Sequence, residues 1–318
     1  MIGPAARGAF EQQAAKGPAA GETRALARRL RLGGADAIDL SASLAHAALA
    51  APERTAAIYD EAAEGWFGAP VGAEPIHVAV EAPLAIPKAF WPAFWALVGG
   101  SAGRDSGDVT AATAALGGRL GETLTARQAA ACLAWPGVRV AAGAGLPPRI
   151  RLEDLAACPP ASLGEAFHRL IVDNGFDLEV LDRDDLGLAS LPPPLDYLNT
   201  RLLQTHDLWH IVAGYRTTKL HEAAISAFQL AQCGHGYSAL FLALAVTSAA
   251  PARGPGFAML LDTILSAWVH GRRTAPMLLI AWEEEWTDTT QAIRRRHGIT
   301  PYRSPHPADV VEQAEAGI

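Results

Sequence analysis

Only three cysteines, Cys132, Cys158 and Cys233, are spread through the 318 residues. Their spacing builds neither a disulfide framework nor a cysteine zinc cluster, and it fits a reducing compartment. Positive charge is also in deficit: 26 lysines and arginines face 33 acidic residues, for a net charge of -7. No basic face is visible, which speaks against a nucleic-acid partner, because phosphate binding needs several cations on one surface. Long apolar runs are absent too. Residues 1–40 contain no serine and no stretch suited to the centre of a signal peptide, so secretion is not expected. The most membrane-like stretch, Tyr237 to Ala250, falls short of the roughly 18 to 20 apolar residues of a spanning helix and meets Pro251 at once. No repeat recurs at a fixed period.

What is present is apolar and helical. Half of the residues are hydrophobic, enough for one large core or two small ones. Thr125 to Gln128 and Ser162 to Glu165 fit the capping-box pattern that opens helices. After Ser162, the apolar residues Leu163, Phe167, Leu170 and Ile171 follow helical spacing, and Gly175 can close that helix. Phe257, Leu260, Leu261, Ile264, Leu265 and Trp268 share another helix face, with Gly271 as its expected end. A last helix is predicted from Pro276 to His297, carrying Glu283 to Glu285 early and Arg294 to Arg296 late as the helix dipole favours, both runs on a solvated face. Pro136 to Ile150 reads as a long connection. Before Pro87, helical signals are short, as at Glu22 to Leu32 and Arg54 to Trp66, the beginning reads as disordered, and Ile76, Val78 and Val80 alternate like a short strand.

The chemistry concentrates between Leu195 and Gln232, where one helix ends near Gly214 and another begins near Thr218. His206 and His210, four residues apart, are rotated by only about 40° on a helix and so stack on one face. Asp207 borders that face, and Glu222 lies about as far beyond the turn as His210 lies before it, so antiparallel packing brings them level. Two imidazoles and one or two carboxylates suit zinc, and also iron, manganese or cobalt, and leave a coordination position for substrate. Histidines among apolar neighbours such as Trp209 and Ile211 can instead be core residues held by hydrogen bonds. Burying Asp207 and Glu222 beside them without a cation would be costly, which favours a metal. A single such motif, rather than paired Glu-x-x-His motifs, points to one ion. A metallopeptidase also stacks two histidines on a helix around an acid, but Asp207 is one methylene shorter than the glutamate such enzymes use as base.

His206-Asp207-Leu208-Trp209-His210 and Glu222 resemble the signature of the coenzyme Q (ubiquinone) biosynthesis protein four family: His-Asp-x-x-His, eleven residues, then Glu. Pro159 to Phe167 is similar to that family's Pro-x-Gly-Ser-Leu-Gly-x-x-Tyr segment, with Ala161 in place of the glycine and Phe167 in place of the tyrosine. Gly271 to Pro276, Trp282-Glu283-x-x-Trp286 and Gly298-Ile299 resemble its carboxyl-terminal region. The likeness is good from Ile150 to Ile299, extends weakly back to Phe90, and does not reach earlier residues. His221 stands where glycine is common beside the glutamate, and is expected to point away from a metal, since helix neighbours diverge by about 100°.

The resemblance implies an all-α, multi-helix globular fold with a metal-binding antiparallel helical hairpin. It divides the chain into a partly disordered extension over 1–87, a helical domain over 88–300 and a tail over 301–318. It further implies one divalent ion, zinc foremost, on His206, Asp207, His210 and Glu222, with Asp207 catalytic. The implied activity is that of a lyase: decarboxylation of a polyprenylated 4-hydroxybenzoate intermediate, with hydroxylation at the same carbon if the reaction is oxidative. A non-catalytic, lipid-binding organiser of a quinone-biosynthesis complex is the alternative. Partners would be the polyprenylated precursor, a membrane surface, other quinone-biosynthesis enzymes and a second copy in a homodimer. The location would be cytoplasmic, peripheral on the inner membrane in a bacterium. Two further expectations come from the residues themselves: an apolar groove for the prenyl tail along Tyr237 to Ala250 and Phe257 to Trp268, and Arg272 and Arg273 as candidate holders of a substrate carboxylate or lipid phosphate.

Overall fold

In the computed structural model of the chain, residues 2–100, 106–145, 148–178, 182–252 and 254–316 are described. The fold is all-helical, with no strand among these residues. The first half contains α1 (Pro4–Lys16), α2 (Glu22–Arg31), α3 (Ala37–Leu49), α4 (Thr55–Phe67), α5 (Phe90–Gly100), α6 (Ser106–Gly117), α7 (Glu122–Cys132) and α8 (Val138–Ala142). The second half contains α9 (Leu152–Ala156), α10 (Leu163–Asn174), α11 (Leu195–Ala213), α12 (Lys219–Cys233), α13 (Gly236–Ala249), α14 (Pro255–Arg273), α15 (Thr290–His297) and α16 (Val310–Ala316).

Local chemistry starts and stops several of these as the sequence suggests. Ser162 Oγ accepts the Glu165 amide at 3.2 Å and opens α10. Gly214, with φ +83°, turns the chain out of α11, and an added Cβ would stand 3.0 Å from Pro301. Other expectations are overridden by packing. Thr125 does not open a helix: α7 begins at Glu122, and the Thr125 hydroxyl donates back to the Gly121 carbonyl. Gly271 does not end α14 but lies inside it, where a Cβ would come within 2.6 Å of Ala231 and 2.8 Å of the Phe228 carbonyl. Close approach of α12 and α14 requires its hydrogen.

The predicted helix from Pro276 to His297 is broken. Short 3-10 turns occupy Met277–Leu279 and Trp282–Glu284, and only α15 is a true helix. The reason is visible at the start of α10, whose Leu163 and Gly164 amides donate to the carbonyls of Asp288 and Trp286. Carbonyls used in this way are not free for a continuous helix. The charge runs are solvated in part: Glu283, Glu284, Arg295 and Arg296 are exposed, while Arg294 is half-buried and Glu285 buried. Glu283 forms a two-pronged pair with buried Arg201, while Glu285 is buried against Arg296 and His297. Ile76 to Val80 run without regular structure, so the alternation there builds no strand. Pro136 to Ile150 is shortened as a connection by α8, and residues 146 and 147 lie outside the described ones.

Residues before position 87 join the same core as the rest of the chain. One hydrophobic cluster includes Ile2, Phe10, Leu40, Leu44 and Tyr59 together with Trp209, Phe228, Trp268 and Tyr302. α3 packs on α13, and α4 on α14. The first helices therefore form part of the core rather than a partly disordered extension. They escape notice because α3 is Ala-rich and buried on every side, eleven of its thirteen residues, so it has no polar face to betray a helical period. The tail expected over 301–318 is docked over its described residues 301–316: the Tyr302 amide donates to the Ala213 carbonyl, and Thr218 at the start of α12 donates to the Ala308 carbonyl. The same packing buries much of α13 and α14, where the groove is expected, and leaves Tyr237, Phe241 and Leu260 half-buried. α13 is covered by α3, α5, α6 and α12, and α14 by α4 and α12.

Two stability measurements follow from this packing. Phe10 is fully buried against Trp91, Phe94 and Trp95, so Phe10→Ala is expected to destabilise by about 3–5 kcal/mol in denaturant unfolding; a dispensable extension would leave the midpoint unmoved. Ala161 has φ +64°, in the left-handed region, at the position where the resembling segment carries glycine. Ala161→Gly is accordingly expected to raise stability by about 1 kcal/mol, read as a higher melting temperature.

Candidate metal centre

α11 and α12 meet through a few side chains: Trp209 meets Phe228 edge to face, with ring centroids 5.8 Å apart, while His206 and His210 reach toward Glu222. The anchors of α11 are α10 and α15, and those of α12 are α13 and α14. The hairpin is thus held from outside, and its two facing surfaces are free to carry polar side chains.

Three ligand-type side chains converge there. His206 Nε2 lies 3.3 Å from Glu222 Oε2, His210 Nε2 lies 3.4 Å from Glu222 Oε1, and the two Nε2 atoms are 3.1 Å apart. Donors about 2.05 Å from a tetrahedral zinc stand about 3.3 Å from one another; the nearest approaches match that spacing with each imidazole meeting a different Glu222 oxygen, and one atom from each residue lies within 4.8 Å of the others, so the donor set fits a divalent ion. His210 is buried, with a side chain 2% exposed, whereas His206 and Glu222 are 32% and 37% exposed. One side of the site therefore opens toward solvent and can admit a further ligand.

Electrostatics couple the three residues. Burial alone would lower the His206 pKa, but hydrogen bonding and charge from Glu222, aided by the Asp207 charge, raise it to about 9. Burial would raise the Glu222 pKa, and the two histidines instead hold it well below the usual carboxylate range. An ion-free site is thus a charged imidazolium–carboxylate pair, in which a proton occupies the place that a cation could take.

The four-residue set expected from the sequence is only partly assembled. His206, His210 and Glu222 form the converging group, and the Asp207 carboxylate is not part of it. The one-residue step from His206 turns Asp207 to the border of the face, where it acts on His206 through its charge. His221 points elsewhere, as expected: its Nδ1 accepts the Arg216 amide, and its ring packs on Tyr215 and Tyr302. Arg272 and Arg273 are engaged within the fold. Arg272 pairs with Asp60, donates to the Glu74 carbonyl and lies over Trp135, while Arg273 donates to Val71. Their guanidinium donors fasten the N-terminal segment to α14.

Two neighbours went unnoticed in the sequence. Gln229 Nε2 lies 3.0 Å from His206 Nδ1. Its spacing of seven residues from Glu222, about two helical turns, was a readable signal. His235, whose ring bridges Ser238 and Asn199, had none, because it belongs to the next helix. Burial, reinforced by the nearby His206 charge, lowers its pKa to about 3, so it stays neutral.

If this triad holds an ion, His206 must give up its proton to offer Nε2. Zinc binding near neutral pH is then expected to release about one proton per chain, and the release should fade above about pH 10. Calorimetry in buffers of different ionisation enthalpy measures it. Full ion occupancy in His210→Ala and Glu222→Ala would count against the site.

Residues 148–303 match the family model described as Coenzyme Q (ubiquinone) biosynthesis protein Coq4. The chain is 30% identical over 148 residues to the mitochondrial ubiquinone biosynthesis protein COQ4 homolog of Drosophila ananassae, a stretch covering 46% of this chain and 53% of that protein. It is 28% identical over 165 residues to the Danio rerio homolog, covering 48% of this chain and 56% of that protein. The chain thus spans about half the length of the curated relatives it matches. A crystal structure from Nostoc punctiforme, of a protein provisionally named for ubiquinone biosynthesis, shares the fold with a TM-score of 0.52 at 22% identity, over 66% of this chain and 97% of that one. The matched stretch contains α10 to α15 and all three converging side chains. Through residues 148–303, this chain is similar to the coenzyme Q (ubiquinone) biosynthesis protein Coq4 family.

Proposed function

We propose that the chain acts in ubiquinone biosynthesis as a metal-dependent decarboxylase of a polyprenylated 4-hydroxybenzoate intermediate, at the ring carbon that bears the carboxylate. The observation that carries this reading is the convergence of two imidazole nitrogens and a carboxylate at tetrahedral-edge spacing, with one side accessible. A bound divalent ion, zinc ahead of iron, manganese or cobalt, would supply Lewis-acid polarisation of the substrate's carboxylate or phenolate oxygen. His206, His210 and Glu222 would hold it.

The remaining work falls to the chain itself. Loss of the carboxylate as carbon dioxide leaves its bonding electron pair on the ring carbon, which then takes a proton. Asp207, half-buried and near enough to act on His206 through its charge, would pass that proton or orient a water that does. In an oxidative form of the reaction the same carbon would be hydroxylated instead, with an oxidant such as dioxygen supplying the oxygen. Among the described residues no helix is long and apolar enough to cross a membrane, so a prenylated substrate would be met at a membrane surface, alongside other quinone-biosynthesis enzymes.

Asp207→Asn separates chemistry from scaffolding, since an amide keeps the carboxylate's shape but takes no proton. Because Asp207 stands outside the converging triad, the variant is expected to keep its metal and its fold while losing about 10²–10⁴-fold in carbon dioxide release from a prenylated 4-hydroxybenzoate. A different pattern supports the organiser: no release above background from the metal-loaded parent, together with an Asp207→Asn variant that restores quinone synthesis in cells lacking the parent.

A further inference from the structure

We infer that Gln229 is a positioning residue for the metal centre: its side-chain amide holds the His206 ring so that Nε2, not Nδ1, faces the ion. The inference rests on the metal reading above and concerns a residue outside the ligand set. Gln229 is 4% exposed, on a helix whose neighbouring side chains Ile225, Phe228 and Leu230 are fully buried and apolar. An amide in such surroundings is destabilising unless its polar atoms are used. It stands two helical turns beyond Glu222, and its terminal group is 3.0 Å from His206 Nδ1. One helix thereby supplies both the carboxylate that meets His206 at Nε2 and the amide that meets it at Nδ1.

The tautomer follows from this clamp. A neutral imidazole that gives its Nε2 lone pair to a cation must carry its proton on Nδ1, and that N–H needs an acceptor. The Gln229 amide can present its oxygen there by a half-turn about its last bond, because the oxygen and nitrogen of an amide are nearly identical in shape. With the nitrogen toward Nδ1 the ring would protonate at Nε2 and bind no ion. With its oxygen toward Nδ1, the amide accepts from the imidazolium of the ion-free site and from the neutral, Nδ1-protonated ring of the ion-bound one alike. A neutral amide also adds no negative charge, which leaves the ion a stronger Lewis acid than a carboxylate partner would.

Two substitutions test this with zinc as the probe, measured by competition against a chromophoric chelator, with circular dichroism as the check on folding. Gln229→Leu keeps the bulk but accepts no hydrogen bond, and is expected to weaken zinc binding about 10–100-fold. Gln229→Glu restores an acceptor and is expected to bind at least as tightly as the parent. The absorption of the cobalt-substituted protein gives a second readout, which should shift in the leucine variant and not after a distant packing change. Zinc affinity in Gln229→Leu equal to the parent's, with the parent itself binding zinc, overturns the role of Gln229 and leaves the metal reading standing. A parent that binds no zinc or cobalt removes both. Should Gln229→Leu fail to fold, Gln229→Glu decides: affinity at or above the parental level supports the clamp, and a loss of tenfold or more rejects it.

Discussion

The close approach of α12 to α14 is the constraint on which the rest of the molecule depends. Gly271 allows it, since any side chain there would meet Ala231 and the Phe228 backbone. Gln232 then ties the two elements, donating to the Gly271 and Thr274 carbonyls while accepting the Met277 amide. These contacts fix the rotation of α12 about its axis. With Phe228, Ala231 and Gln232 turned toward α14 and the segment after it, Glu222 and Gln229 are left to face α11. The direction of the two polar side chains is thus set by packing among apolar and small ones, which makes the site rigid without spending any of its own donors on the task.

The N-terminal helices complete this support from the other side. Tyr59 stacks at 4.9 Å on Trp268, and Asp60 accepts the Trp268 indole N–H and pairs with Arg272. Asp262 similarly accepts from Trp66 and pairs with Arg31 and His306. α14 is therefore gripped by α4 through paired carboxylates that would be unfavourable to bury alone. These helices lie outside the stretch shared with the Coq4 family model, yet they share one core with it. The matched segment and its preceding helices share one core in this chain, and α13 and α14 pack against other helices over much of their length.

Charge is handled differently at the two ends of α11. Near its start, Arg201 is neutralised in place by Glu283, a pair satisfied within the fold. Near its end, His206, His210 and Glu222 share too few partners to be satisfied by one another: two nitrogens approach to 3.1 Å beside one carboxylate. The first arrangement is structural and saturated. The second gains from a cation or proton, and this contrast on one helix is the physical ground for reading function at one place and architecture at the other.

The sequence alone determined the helical class, the boundaries of α10 and α11 and the placement of His206, His210 and Glu222 on facing surfaces. Those features depend on short-range periodicity, on caps such as Ser162, Gly175 and Gly214, and on a turn short enough to force antiparallel packing. Tertiary structure decided what depends on distant partners. It broke the segment from Pro276 to His297, because α10 claims the carbonyls of Trp286 and Asp288. It turned Arg272 and Arg273 into fasteners, because Asp60 and the Glu74 and Val71 carbonyls arrive from far earlier in the chain. It drew residues 2–67 into the core, because a helix such as α3, buried all round, has no polar stripe to announce it. It also left Asp207 at the border of the triad and brought Gln229 against His206, since a rotation of one residue along a helix is legible in sequence but the side chain that meets it across a gap is not.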